Sequence, residues 1–482
     1  MKRMKALFAA MLIVASLGAA NYVAWLRLHP EVSAVESINE KAKYNAHVVM
    51  LHQRAMERVD PGTSESYLPV YDAQNPGLFL LVAELAIRAG ATTPLPLEVL
   101  SILLFNIGAL CFFFWVYLLF SDVIAATFAT VFLVLSQFFL FFSGVTHTMP
   151  YEFVFFNLTL LLFLLYLKRG ERVYLVGSLL AMFLMAMNYW FYYMSSWIVM
   201  VGLWWQYRGR PRLRDVALIS APLVAAATLT AAMIMFIVGG FTSGILRMLD
   251  LFVARTVDAR MPNSHWYPGV KFVSAADWDR YPDVVASRLE WAYSFDLQTF
   301  SIAAGCAVIL LSIRKRSSAV SALILLLGSL SWYFVMLQHT FVHSFSGMYS
   351  FLGICPLFGL IIAEAVVRLC DALSSTRACF TGGSIRRAVL STCVAGVMVV
   401  VSWWAVVPFY RNSVGLIKKT VAIAADVEKK YRLAVQDACR DDSKVTLEEL
   451  KGAAQAWGFQ WTPEILAATN QMPTCSRYSS VQ

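Results

Sequence analysis

Eleven apolar runs of about 17–25 residues divide this chain, and each is long enough to cross about 30 Å of hydrocarbon as a helix. They lie near residues 6–26, 96–118, 123–143, 150–167, 172–187, 189–206, 216–239, 296–313, 317–337, 348–369 and 388–409. Composition agrees: 59% of the 482 residues are hydrophobic and 14% charged. Soluble domains carry about 45–50% apolar and about 25% charged residues. A cytosolic enzyme, a disordered chain and a secreted disulfide scaffold are excluded. The expected fold is an all-α polytopic membrane protein with about eleven transmembrane helices. The stretch 172–206 is too long for one crossing and suits a tight hairpin turning near Asn188.

Charge then orients the runs. The net charge of +9 would suggest nucleic acid in a soluble chain. Here the cations collect in short loops, as cytoplasmic loops do under the positive-inside rule. Lys2–Lys5, Lys168–Arg172, Arg208–Arg214, Arg314–Arg316 and the stretch from Arg368 to Arg387 hold seventeen Lys and Arg. No nucleic-acid partner is expected. Residues 27–75 carry five basic against seven acidic residues, and 240–294 carry six of each. Both read as extracytoplasmic. The first run includes the small-residue stretch Gly18-Ala19-Ala20 but continues through Val23-Ala24-Trp25, which favours an uncleaved signal anchor over a cleaved peptide.

The segment 77–89 decides the parity. This largely apolar stretch of 13 residues follows Pro76 and reaches roughly 20 Å as a helix. Glu84 and Arg88 stand at ion-pair spacing on one face. It is expected to lie on the outer leaflet as an interfacial helix. The domains are then a transmembrane unit over 1–409, with outer loops 27–95 and 240–294, and a small helical extracytoplasmic domain over 410–482. Thr446-Leu447-Glu448-Glu449 in that tail is a capping-box pattern. Its Cys439 and Cys475 would either pair outside the cell or remain thiols.

Polar chemistry gathers on the outer side. All seven histidines fall there, and no phosphate-binding glycine loop occurs on the other. Glu36 and Glu40 are one helical turn apart. Paired carboxylates suit general-base work or a divalent metal held by oxygen ligands, and the same spacing suits a solvated acidic face. Asp72 and Glu152 are further outer carboxylates. His339 and His343, also one turn apart, and His47 suit hydrogen bonding to a phosphate or sugar. Arg247, Arg255 and Arg260, followed by His265-Trp266-Tyr267, suit bidentate phosphate recognition beside flat apolar faces. These cations and rings equally suit the headgroup belt.

This layout resembles the GT-C superfamily of membrane glycosyltransferases, in the branch of protein O-mannosyltransferases and bacterial lipid A aminoarabinose transferases. The likeness covers about residues 1–370. It rests on one N-terminal span followed by an acidic outer loop, and on a Pro-led interfacial segment, Asn75-Pro76-Gly77-Leu78-Phe79. A span opening Met149-Pro150-Tyr151-Glu152 and the long loop 240–294 fit it too, as does the His339–Tyr349 stretch before Leu352-Gly353-Ile354-Cys355-Pro356. Gly77 replaces the second proline of the family's pair, and Glu152 stands where Asp is usual.

The resemblance implies transfer of a sugar from a polyprenyl-phosphate donor, reached laterally through membrane lipid, to an extracytoplasmic glycolipid, envelope polysaccharide or protein. It implies a multi-pass protein of the bacterial inner membrane with its N-terminus cytoplasmic. One of Glu36, Glu40, Asp72 and Glu152 would deprotonate the acceptor hydroxyl, and cations would hold the leaving phosphate. Metal dependence stays open. Rival readings are a lipid-linked oligosaccharide polymerase or ligase, and a transporter or flippase using an ionisable group in the membrane such as Glu364.

Overall fold

The computed structural model describes residues 2–27, 95–144, 148–188, 192–238, 278–293, 316–337 and 344–375, with isolated positions elsewhere, among them Leu78, Val82, Leu85, Ala89 and Thr340. Of the described residues 91% are helical and none is in a strand. The helices are α1 (Lys2–Arg27), α2 (Leu95–Phe120), α3 (Val123–Val134), α4 (Gln137–Phe142), α5 (Met149–Arg169), α6 (Arg172–Ala186), α7 (Tyr193–Arg208), α8 (Leu213–Val238), α9 (Tyr281–Tyr293), α10 (Arg316–Val335) and α11 (Phe351–Ser375). A 3-10 segment, Ser344–Ser350, leads into α11.

Six helices are long and apolar enough to span: Ala6–Trp25, Pro96–Phe120, Met149–Arg169, Leu213–Ala232, Ser317–Val335 and Ser346–Arg368. They match six of the eleven expected runs. The runs 172–187 and 189–206 form two helices, α6 and α7, with α6 ending near Met187 as expected, but α6 packs on α5 and α8 while α7 packs chiefly on α10 rather than on α6. The run 123–143 departs from expectation. It is broken into α3 and α4 at Leu135–Ser136, where the Ser136 hydroxyl accepts from Phe139 N at 3.2 Å and caps α4. The runs near 296–313 and 388–409 fall outside the described residues but for scattered positions.

Contacts rise together along α2 and α5, from Phe105 on Phe153 through Trp115 on Asn157 to Leu118 on Lys168, so these two run parallel and the bundle has two distinct ends. One end holds the loops Lys168–Arg172 and Arg208–Arg214 and the start of α10, where the Gln206 amide donates to Ser317 O and Ser321 Oγ, each at 2.9 Å. The other holds the first turn of α5, the α6–α7 turn, α9 and the 3-10 segment.

At the centre stands α3. All of its residues except Val123 are buried. The Asp122 carboxylate starts it by accepting from Ile124 N at 2.9 Å and Ala125 N at 3.1 Å. Thr127 and Thr130 donate to carbonyls one turn back, so their hydroxyls are satisfied within the helix. Small residues let α11 close on it: a Cβ on Gly359 would sit 2.1 Å from the Ala125 carbonyl. Lipid tails are as apolar as leucine, so close packing rather than escape from water holds such helices together. Rings complete the core. Phe105 stacks on Phe153 at 4.9 Å and meets Phe139 edge-on at 4.9 Å. The Trp115 indole donates to Asn157 Oδ1 at 2.9 Å, joining α2 to α5. The first helix belongs to the bundle, with Ala20 and Ala24 fully buried and Asn106 of α2 donating to Asn21 at 3.1 Å.

Candidate active site at the Glu152 end

Pro150 lies in the first turn of α5, where its missing N–H costs nothing. Glu152 follows in the same turn, where the helix dipole favours negative charge. Its side chain is fully buried. Neither carboxylate oxygen has a hydrogen-bond partner at ordinary geometry among the described residues. The Thr148 side chain, one turn earlier, lies beside it.

Around this carboxylate are aromatic rings and unmet oxygens. Tyr192, the residue that caps α7, is buried within electrostatic reach of Glu152. Its ring lies 4.8 Å from Phe156, one turn along from Glu152, and 5.6 Å from Tyr349. Tyr349 in turn lies 4.2 Å from Trp332. The Tyr192 hydroxyl, Asn188 Oδ1, Ser195 Oγ and Ser346 Oγ are buried at the same end without hydrogen-bond partners among the described residues. Each such group costs about 1–3 kcal/mol if nothing meets it. A site that concentrates them can accept hydroxyl hydrogens, donate to oxygen, or enclose a sugar.

Helix α9 closes over this end. The Tyr281 hydroxyl donates to Tyr333 O at 2.6 Å, and burial pushes its phenol up to about 12. The Tyr293 hydroxyl donates to Met348 O at 3.3 Å. The Gln137 amide lies against Trp291, donating to its carbonyl at 2.8 Å and accepting from its indole N–H at 2.9 Å. Arg288 reaches inward and donates from Nε to Thr340 O at 3.2 Å. Burial draws its guanidinium down from the ordinary arginine range, yet it remains a cation. Gly347 lets α9 approach the 3-10 segment, for a Cβ there would stand 2.0 Å from the Arg288 carbonyl.

Of the site residues expected from sequence, Glu152 is described. Glu36, Glu40, Asp72, His47, Arg247, Arg255, Arg260, His265, His339 and His343 lie outside the described residues, as do Cys439, Cys475 and the tail after 415. Among the described residues no three His, Cys, Asp or Glu side chains gather as metal ligands. Four positions of the segment 77–89 are described. Leu78 packs beside Ala186 and Met187 and donates its N–H to Met187 O at 3.0 Å. Val82 packs on Tyr151, while Leu85 is exposed. Both packed residues therefore touch the Glu152 end. Glu364 accepts from Arg368 at 3.0 Å, an i,i+4 ion pair on α11.

Tyr192 and Arg288 were missed in the sequence. Tyr192 sits in an aromatic run that reads as an interfacial belt. Arg288 did leave a signal: it shares a helical face with Val285, Leu289 and Ala292, and an arginine on an apolar face is a buried group.

Long apolar helices around a central broken one, with a helix docked over one end, give a fold that solved oligosaccharyltransferase structures share. Two crystal structures of the oligosaccharyltransferase from Archaeoglobus fulgidus share it, one tethered through a disulfide to an acceptor peptide containing the NVT sequon and one in the apo form. Each superposes with a TM-score of 0.50 at 11% identity over 95% of this chain. The chain spans 59% and 60% of their lengths. No protein-family model and no curated protein matches the chain.

Proposed function

We propose that the chain transfers a sugar from a polyprenyl-phosphate donor to an extracytoplasmic acceptor. The observation that carries this reading is Glu152, a fully buried carboxylate at the ring-lined end of a GT-C fold. A carboxylate there can accept the proton of an acceptor hydroxyl, or hold a sugar hydroxyl in register. Glu36, Glu40 and Asp72 are the other carboxylates proposed for this work. His47, Arg247, Arg255, Arg260, His265, His339 and His343 are proposed to bind donor and acceptor, with the arginines on the phosphate. The transporter or flippase alternative rests on Glu364, which is paired with Arg368 at 3.0 Å on α11.

The same proposal sets the Glu152 end outside the cytoplasm, in the bacterial inner membrane, with residues 77–89 on that surface and the 410–482 domain beyond it. The contacts of Leu78 and Val82 with one end of the bundle support it. Reporter fusions after Arg169 and after Tyr431 test the orientation. A cytoplasmic signal is expected at the first and an outer signal at the second. The reverse at either site overturns it. For the activity, purified protein is incubated with polyprenyl-phosphate sugar and crude envelope acceptors. Labelled product is expected, with about 10²–10⁴-fold less from Glu152→Gln. Full transfer by both Glu152→Gln and the pair Glu36→Gln and Glu40→Gln would refute the carboxylate assignment.

A further inference from the structure

At the opposite end, two short loops that are far apart in sequence meet. The α5–α6 loop carries Lys168, Arg169 and Arg172, and the α7–α8 loop carries Arg208, Arg210, Arg212 and Arg214. All seven side chains are exposed. Arg208 joins the loops: it donates to Tyr166 O at 3.2 Å, lies 5.3 Å from the Tyr166 ring centre, and comes within 3.7 Å of a Cβ built on Gly170. Arg169 is held in the same manner, donating to the Tyr174 hydroxyl at 2.9 Å with its guanidinium 5.7 Å from that ring centre. Lys168 donates to Leu118 O.

Helix C-termini attract cations, so the first question is whether α5 and α7 account for this charge. Each C-terminus is worth about half an elementary negative charge. The loops contain two carboxylates, Glu171 and Asp215, and Asp215 is occupied by Arg214 at 3.5 Å and by Arg212 N at 2.9 Å. Seven cations set against these leave about four elementary charges unmatched. Arg169 and Arg208 are already ordered by tyrosines, and each guanidinium has five donors, so most of theirs remain free. An ordered arginine loses less freedom on binding a phosphate. Directly beside the charges Val173, Val176 and Leu180 form an exposed apolar stripe down α6, at 68%, 64% and 57% exposure.

We infer that the joined loops bind an anionic phospholipid of the leaflet at that end. Its phosphate lies among Arg169, Arg172, Arg208 and Arg212, and its chains follow the α6 stripe. This inference is independent of the transfer reaction, because none of these residues belongs to the Glu152 site.

Native mass spectrometry of the full chain in neutral detergent tests it. Phosphatidylglycerol and phosphatidylcholine are titrated separately, with inorganic phosphate as competitor. Phosphatidylglycerol is expected to bind about tenfold more tightly or better, and millimolar inorganic phosphate is expected not to displace it. Displacement by inorganic phosphate would mean an anion site without lipid selectivity and would overturn the inference. Arg172→Gln and Arg212→Gln are the decisive variants, since neither side chain makes a hydrogen bond or ion pair among the described residues. Each should weaken phosphatidylglycerol about fivefold, the share of one surface cation, with phosphatidylcholine unchanged. Equal binding of both lipids by the parent chain, or unchanged phosphatidylglycerol binding by the folded double variant, would sink it.

Discussion

The two ends of the bundle treat polar groups in opposite ways. At the basic end the ionisable groups are many and exposed, and Lys168, Arg169 and Arg208 rest on carbonyls and rings. At the Glu152 end they are few and mostly buried, and the Glu152 carboxylate and the Tyr192 hydroxyl have no hydrogen-bond partner among the described residues. Groups such as Arg214, with its side chain 75% exposed, lose almost no hydration on folding. Glu152, Tyr192 and Asn188 lose all of it. A fold keeps such a cost where a bound molecule can offset it, which supports the proposed placement of the chemistry at the Glu152 end.

The largest test of this contrast is Glu152→Gln. It keeps shape and burial while removing the base, so transfer is expected to fall about 10²–10⁴-fold with folding retained by size-exclusion chromatography. A structural carboxylate would instead change the melting profile and spare the rate per folded molecule. Next is Gly347→Ala. Its new methyl meets backbone, which cannot rotate away, and overpacking of this kind costs roughly 1–3 kcal/mol. Thermal unfolding should move down, and limited proteolysis should cut nearer α9; an unaltered melt would show that α9 is not clamped. A smaller effect is expected from Asn157→Leu, which strands the Trp115 indole. Hydrogen bonds between membrane helices are worth about 0.6 kcal/mol and at most about 1.7, so a reversible unfolding assay should read a loss within that span. Smallest is Arg214→Gln, an exposed ion pair worth about 0–1 kcal/mol. Its melting temperature should shift by no more than the error of the scan, whereas a large shift would mean that the basic end is structurally tense after all.

Sequence made the spans legible wherever length and hydropathy coincide, as in α1, α2, α5, α8, α10 and α11. The division of 172–206 into two helices near Asn188 was legible from length alone. The break between α3 and α4 was not. Hydropathy averages over Val131-Phe132-Leu133-Val134-Leu135-Ser136-Gln137-Phe138, and one capping serine barely lowers the mean. Glu152 was legible as a position, an acidic residue opening a span after proline. Its complete burial was not, because burial depends on groups from other segments, Tyr192 among them. Arg288 was legible in principle by its helical face, but a long loop with balanced charge draws attention to its clustered residues instead.

The burial of α3 bears on how the chain is assembled. Twelve residues rise about 18 Å, well short of the hydrocarbon, so α3 is a poor passenger for lipid on its own. Its close partner Gly359 is 234 residues further along the chain than Ala125. At about 5–20 residues per second, synthesis of that interval lasts roughly 10–50 s. Through that time α3 has its earlier neighbours on one side and an open flank on the other. The insertion machinery must shield that flank, and ribosome-stalled chains ending before α11 should crosslink there to an insertase, losing the crosslink once Gly359 emerges.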